Sequence, residues 1–196
     1  FKEKKQWIEG VPKLKTLAQI FNERGGYKVL DTIKGEELVG LSYEGPYDHF
    51  EAQHEYGGYP FVNDELKEKK INSQLQHQVV DAGKDSIGND IVIAGEGTGI
   101  VHMAPGCGDI DSKVGKKLGF VSLAPLDTES RFTEKFGWLA GKSATDKDTI
   151  QLIIDDLKER DLLFYSEDYP HVYPHCWRSG DELVFKQVDE WYINMD

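Results

Sequence analysis

Residues 97–111, GTGIVHMAPGCGDID, form the stretch of this chain in which residues capable of chemistry are most concentrated. His102, Cys107, Asp109 and Asp111 stand here among glycines and one proline. Imidazole, thiol and carboxylate groups can bind a metal ion, act as a nucleophile with its base, or hold a charged ligand. The stretch therefore allows several kinds of site, which the spacing of its residues helps to separate.

A phosphate-binding loop is disfavoured by what this stretch lacks. A Walker loop consists of a glycine, four further residues and then Gly-Lys-Ser/Thr. No lysine stands at the required position after the glycines at 95–99. A dinucleotide fingerprint requires a third glycine at the start of a helix. Gly95 and Gly97 supply only the first two, and the following IVHMA favours a strand.

Two other chemistries stay open. A metal could use His102, Cys107, Asp109 and Asp111, although their spacing matches no standard zinc pattern. Cys107 could instead be a nucleophile between two glycines, with His102 as its base five residues away. No known nucleophile motif supports that pair.

The order of residues also suits a ligand that lies against the main chain. A strand end is followed by a Pro-Gly break and by an acid at the start of a helix, which leaves backbone N–H groups free. Gly106 and Gly108 leave room for the ligand, and Asp111 can project toward it to hold an ammonium group. His102 would form a bulky polar wall.

The surrounding elements predict the fold class. Helical spacing or caps predict helices over 10–24, 109–119 and 145–163, with Gly25-Gly26 and Gly119 as stops and Thr145 or Asp146 as an N-cap. Apolar or alternating runs predict strands over 27–44, 76–82, 90–104, 120–126, 163–169 and 182–193. Residues 46–75 are interpreted as a long polar loop with one helical turn. We therefore expect an α+β or β-barrel-like domain with peripheral helices.

Composition excludes some classes of protein. Basic residues number 23 and acidic residues 35 among 196, and the net charge of −12 disfavours a module that binds nucleic acid by bulk attraction. Two cysteines cannot build a disulfide framework or a four-thiolate zinc site, so a reducing, cytoplasmic setting is expected. No apolar run approaches the roughly 20 residues of a membrane span, so a membrane partner is not expected.

Two motifs in this order resemble the editing domain of isoleucyl-tRNA synthetases. The first is Gly97-Thr98-Gly99-Ile100-Val101-His102-Met103-Ala104-Pro105, followed by Gly106, Gly108 and Asp111; the second is Tyr173-Pro174-His175-Cys176-Trp177-Arg178. The leucyl and valyl enzymes have a similar Gly-Thr-Gly loop without this histidine. His102 therefore favours the isoleucyl family.

The resemblance implies hydrolysis of valine wrongly attached to tRNA(Ile). One methylene in an apolar pocket is worth only about 1–3 kcal/mol, a magnitude for which this enzyme family is itself the standard example. On the family pattern, Asp111 is the catalytic residue that binds the α-ammonium group, and His102 sets the size limit. Further substrate contacts are implied for Thr98, Gly99, Met103, Ala104, Pro105, Gly106 and Tyr173, the last near the terminal adenosine. A water positioned by the loop and by the terminal hydroxyl of the tRNA attacks the ester.

The resemblance also implies how the chain is organised and which partners it has. Residues 1–170 correspond to the editing domain without its threonine-rich wall, and 171–196 to the exit toward the catalytic core. The partners are the valine-carrying 3′ end of tRNA(Ile) and the rest of the synthetase. No cofactor is expected here, since ATP and Mg²⁺ belong to the synthetic site of the parent enzyme. Ser179 stands where some members have a zinc-binding cysteine, so zinc is not expected.

Two alternative functions remain at this stage. Loss of the threonine-rich wall would suit a non-catalytic module that positions tRNA. A hydrolase that depends on Cys107 is the other.

Overall fold

The computed structural model describes residues 14–85, 87–93, 98–168 and 173–188, and the single residues 190, 191, 193 and 195. In these ranges the regular structure is helical. The α-helices are α1 (Leu17–Glu23), α2 (Asp64–Glu68), α3 (Asp109–Leu118) and α4 (Lys147–Glu159). Short 3₁₀ helices span Gly35–Leu38, Glu51–His54, Gln74–Gln76 and Glu134–Leu139. None of the helices in these ranges has both the length and the apolar character needed to cross a membrane.

Three predicted helices are confirmed, and local capping explains them. The Thr16 hydroxyl accepts a hydrogen bond from the Gln19 amide at the start of α1. Asp146 caps α4 in the same way. Gly119 ends α3 in the left-handed conformation, with φ of 70°, which glycine adopts without steric cost.

The predicted β-barrel-like α+β fold is wrong for the described residues. They contain no strand of a sheet, only isolated bridges that include Ser42 with Gln78, Tyr59 with Leu123, and His175 with Glu182. Many apolar side chains in the segments predicted as strands remain exposed, among them Leu30, Ile93, Ile100, Val101 and Phe185. Alternation specifies which face a strand could bury, but it does not supply the partner strand that must accept its hydrogen bonds.

Proline and glycine limit two of these bridges to single residue pairs. Pro174 precedes the bridge at His175, and its carbonyl accepts from the Leu183 amide without an N–H group to donate in return. Proline has no N–H group to continue a ladder. Beside the bridge at Ser42, Gly40 has a φ of 91°, which turns the chain out of the extended conformation.

The main core lies in the segment that was predicted to be a polar loop. Phe50 and Ala52 are buried together with Phe136 and Leu139 from the 3₁₀ helix at 134–139. The Phe50 ring meets the Phe136 ring edge to face at a centroid distance of 6.5 Å. A Cβ on Gly137 would lie 2.8 Å from the Phe50 ring, so these two segments approach closely only because that side chain is absent.

An ion-pair network adjoins the core. The Lys135 ammonium group lies 3.0 Å from the Glu51 carboxylate and also contacts Glu55. Hydrogen bonds from these carboxylates, with Glu55 contributing most, raise the pKa of Lys135. The two 3₁₀ helices that carry the core residues are therefore also joined by charge.

Candidate functional site

The start of α3 carries the acids that were singled out in the sequence. Gly108 precedes the helix in an extended conformation, and the Ser112 amide donates to its carbonyl at 2.8 Å. Asp109 and Asp111 lie in the first turn, where the helix dipole favours negative charge. Asp109 is paired with Lys113 at 2.8 Å, whereas no ion pair joins Asp111 to any residue within the described ranges.

Asp111 ties the preceding loop to the helix. The Ala104 amide donates to Asp111 Oδ2 at 3.0 Å. The Cys107 amide donates to the Ala104 carbonyl at 2.9 Å, so the turn between them is closed. Among the described residues, nothing donates a hydrogen bond to Asp111 Oδ1. One oxygen of this half-buried carboxylate therefore holds the loop, while the other has no protein donor within the described ranges.

Two glycines allow Pro105 and Gly106 to lie between α3 and residues 121–124. A Cβ on Gly106 would overlap the Leu123 carbonyl oxygen and lie 2.5 Å from its carbonyl carbon. On the other side, a Cβ on Gly115 would lie 2.7 Å from the Pro105 ring. Both glycines are buried. We call this arrangement of 105–106 between Gly115 and Leu123 the wedge.

The first part of the motif is more open. The Thr98 hydroxyl donates to the Ile100 carbonyl at 2.9 Å and accepts from the Ile100 amide, so it stabilises a turn. Gly99 in that turn has a φ of 73°. His102 is exposed, Met103 is half-buried, and no hydrogen bond joins His102 to Asp111 in the part of the chain described here. Gly95 and Gly97 lie outside the described residues.

The second motif forms a hairpin. Tyr173 donates its hydroxyl to the Leu183 carbonyl at 2.8 Å, and His175 pairs with Glu182. Beyond the hairpin, Phe185 and Lys186 line a crevice with Gly106 that is too narrow to admit a water molecule. The structure thus brings the exit segment, rather than an open cavity, to this side of the loop.

The nucleophile and metal hypotheses gain no support from the geometry. Partial desolvation raises the pKa of the Cys107 thiol, and the Asp111 carboxylate raises it further. No hydrogen bond joins Cys107 to His102 within the described ranges. In those ranges no group of three histidine, cysteine or acidic side chains is arranged to hold a metal ion, and this includes the set of four that the sequence left open.

Sequence reasoning missed two features, one near the site and one elsewhere. Gln76 bonds to Gly119 and Val121, just after the end of α3 and more than 40 positions away along the chain, and no local pattern indicates such a contact. An open depression of about 490 Å³ lies elsewhere and is lined by hydroxyl groups and carboxylates: Thr128, Glu129, Ser130, Ser143, Thr145, Asp181 and Glu182. None of the predicted site residues lines it.

The chain is similar to isoleucine–tRNA ligases of archaea and bacteria. It is 35% identical over 167 residues to that of Sulfolobus acidocaldarius, covering 85% of this chain and 14% of the relative. Identity is 32% over 195 residues with the Aquifex aeolicus enzyme (99% and 18%) and 32% over 201 residues with the Methanocaldococcus jannaschii enzyme (100% and 17%). The chain thus spans less than one fifth of the length of these relatives. No family model matches it.

From the wedge we expect that an added Cβ lowers stability at Gly106 but not at Gly108. Gly106→Ala should lower the free energy of unfolding by about 1–3 kcal/mol, because its Cβ must displace the Leu123 backbone. Gly108→Ala is the matched control, since its Cβ would meet only ordinary contacts 3.4 Å away and its backbone is extended. Urea unfolding of both variants measures the difference. Equal midpoints for the two would contradict the wedge.

The two cysteines should differ in reactivity. The pKa of Cys176 is lowered by hydrogen bonds from the Ser179 hydroxyl and from backbone amides, whereas that of Cys107 is raised. The thiolate is the reactive form, so at pH 8 iodoacetamide should modify Cys176 before Cys107. The rate at Cys107 should keep rising as the pH passes 9.0, the ordinary thiol pKa. Peptide mass spectrometry measures the modification of each cysteine, and the variants Cys107→Ser and Cys176→Ser assign the two signals. Modification of Cys107 before Cys176 would restore the nucleophile hypothesis.

Proposed function

Since this chain belongs to the isoleucine–tRNA ligase family, we propose that it is the part of such an enzyme that hydrolyses valine wrongly attached to tRNA(Ile). Because it spans 14–18% of the relatives, attachment of isoleucine with ATP and Mg²⁺ is proposed for the complete enzyme only. The partners of this segment are then the 3′ end of the tRNA and the remaining chain, in the cytoplasm.

The observation that carries this proposal is the state of the Asp111 carboxylate. Its Oδ2 is fixed by the Ala104 amide, and its Oδ1 has no donor among the described residues. Its neighbour Asp109 is neutralised by Lys113, but Asp111 has no such partner in those ranges. A fixed carboxylate without a protein cation favours a ligand that brings its own positive charge, such as the α-ammonium group of an aminoacyl ester.

The reaction requires no protein nucleophile. Water adds to the acyl carbon, the bond from that carbon to the ribose oxygen breaks, and the proton passes to that oxygen. Valine and tRNA with a free terminal hydroxyl are the products. In the proposal Asp111 holds the ammonium group so that the ester faces the loop, and Thr98 to Gly106 form the surface along which it lies.

Size selection belongs to His102 in this proposal. The ring is exposed at the edge of the loop and forms no hydrogen bond to Asp111 within the described residues, so it is free to meet the aliphatic side chain of the ligand. Tyr173, held by the Leu183 carbonyl, is proposed to support the terminal adenosine. Residues 1–170 would then form the editing unit and 171–196 its exit.

A non-catalytic tRNA-positioning module is the second candidate, favoured by the narrowness of the crevice beside Gly106. Release of valine from valyl-tRNA(Ile) by the full-length protein would exclude it. Absence of release would exclude editing.

Two substitutions of Asp111 separate its charge from its role in the loop. Asp111→Asn keeps an acceptor for the Ala104 amide but removes the charge, whereas Asp111→Ala removes both. Both should slow hydrolysis of valyl-tRNA(Ile) by the full-length protein roughly 10- to 100-fold, the worth of one charge-assisted hydrogen bond. Full activity of the asparagine variant would show that Asp111 acts only on the loop.

Removal of the His102 ring should relax the size limit. In the full-length protein, His102→Ala should hydrolyse correctly charged isoleucyl-tRNA(Ile) as well as the valyl ester. The lost discrimination should correspond to about 1–3 kcal/mol, the effect of one methylene. Rates on the two esters, measured side by side, test this. If isoleucyl-tRNA stays resistant, His102 does not set the limit.

A further inference from the structure

The amide group of Gln76 joins two distant parts of the chain. Its Nε2 donates to the Gly119 carbonyl at 3.0 Å, and its Oε1 accepts from the Val121 amide at 2.7 Å. Gly119 is the C-cap of α3, and Val121 begins the segment 121–124 that contains Leu123. Glutamine and asparagine are the side chains that can donate and accept at once through a neutral amide, and only the longer one spans this gap from residue 76.

Gly119 and Val121 are each close in sequence to a residue that forms the wedge. Gly115, against which Pro105 packs, lies on α3, and the Gly119 amide donates to backbone carbonyls of the same last turn. Leu123, against which Gly106 packs, lies two residues after Val121. Gln76 therefore ties the 3₁₀ helix at 74–76 to the turn at 119–121, which joins the two sides between which residues 105–106 are held.

The far side of segment 121–124 is held by a different residue. The Tyr59 amide donates to the Ser122 carbonyl at 3.1 Å, and the Ala124 amide donates to the Tyr59 carbonyl at 2.8 Å. These two bonds flank Leu123 and set the direction of its carbonyl group. Tyr59 thus holds the segment from one side, and Gln76 holds the turn at 119–121 through which the segment leaves α3; together they shape the space available to Pro105 and Gly106.

We propose that Gln76 is a positioning residue for the substrate loop, acting through α3 and segment 121–124 on Ala104 and Asp111. This inference rests on the proposed function. Loss of the amide leaves the Gly119 carbonyl and the Val121 amide without this partner and lets the turn at 119–121 shift, which changes the direction of segment 121–124 relative to α3. The Ala104 amide then leaves the Asp111 carboxylate, and the ammonium group of the ester is no longer held at a fixed place.

The kinetic effect should fall on kcat. Most of the binding energy of an aminoacyl-tRNA comes from parts remote from the ester, so KM is insensitive to small shifts of the loop. A displacement of about 1 Å at the reacting group can cost as much as 100-fold in rate. We expect the loss of the Gln76 amide to lower kcat roughly tenfold and to leave KM within about twofold.

Gln76→Met in the full-length protein tests the proposal, because methionine matches the length of glutamine and forms neither bond. Gln74→Met is the matched control, since Gln74 lies on the same 3₁₀ helix and its exposed side chain makes no hydrogen bond within the described ranges. Gln76→Glu is the second variant: it keeps the acceptor for the Val121 amide but places a carboxylate oxygen, which cannot donate, against the Gly119 carbonyl. Thermal unfolding verifies that each variant is folded.

Two readouts decide the outcome. Amide hydrogen exchange of a peptide covering 103–108 should accelerate several-fold in Gln76→Met and stay at the wild-type rate in Gln74→Met, and hydrolysis of valyl-tRNA(Ile) should show the kcat loss described above. Wild-type exchange, or a wild-type kcat despite faster exchange, would overturn the positioning role. If the wild-type protein releases no valine, the proposed function fails, and the exchange rates alone still decide whether Gln76 holds the loop.

Discussion

Pro105 and Gly106 can lie close to α3 and to segment 121–124 because Gly115 and Gly106 have no Cβ atom. Pro105 rests on Gly115 of α3, and Gly106 rests on the Leu123 carbonyl, and a Cβ at either glycine would collide with its neighbour. Well-packed interiors tolerate such collisions only by moving backbone. Since Asp111 lies one turn before Gly115 on the same helix, the packing that seats Pro105 also fixes where the carboxylate lies. Packing of the loop and placement of the carboxylate are one constraint.

Local signals predicted the helices and failed for the sheet, and the difference is physical. The N-cap Asp146 and the C-cap Gly119 act on their own helices within a few residues, so their effect can be read from the sequence. A strand needs hydrogen bonds from a partner strand that its own residues do not specify, and here Pro174 interrupts the ladder at His175. The core around Phe50 was missed because it joins residues 47–52 to residues 132–139, which are far apart along the chain, and no local pattern indicates that contact.

The candidate site shows the same division between local and distant information. The motif and its resemblance indicated the loop and Asp111 as site residues, which stays a prediction; the structure shows that the two are in contact through the Ala104 amide. That Asp111 Oδ1 has no donor within the described ranges, that Thr98 closes a turn, and that Gln76 bonds to the turn between α3 and segment 121–124 are consequences of packing. None of these three leaves a pattern in the sequence, because each depends on a neighbour supplied by the fold.

A net charge of −12 is compatible with the proposed tRNA substrate only if the phosphate backbone and the aminoacyl ester are bound by different surfaces. An acidic chain repels the phosphate backbone, so affinity for the tRNA has to come from basic surface elsewhere in the longer enzyme. At the ester itself the demand is reversed, because the group to be recognised there is a cation. A single carboxylate that is already tethered, and that loses no freedom when the ligand arrives, binds that cation at a lower entropic cost than a mobile one. Asp111, placed by the wedge and held by Ala104, meets this requirement, whereas Asp109 is already paired with Lys113. In the proposed function, local acidity thus suits the amino acid, and affinity for the tRNA body is assigned to surface outside this segment.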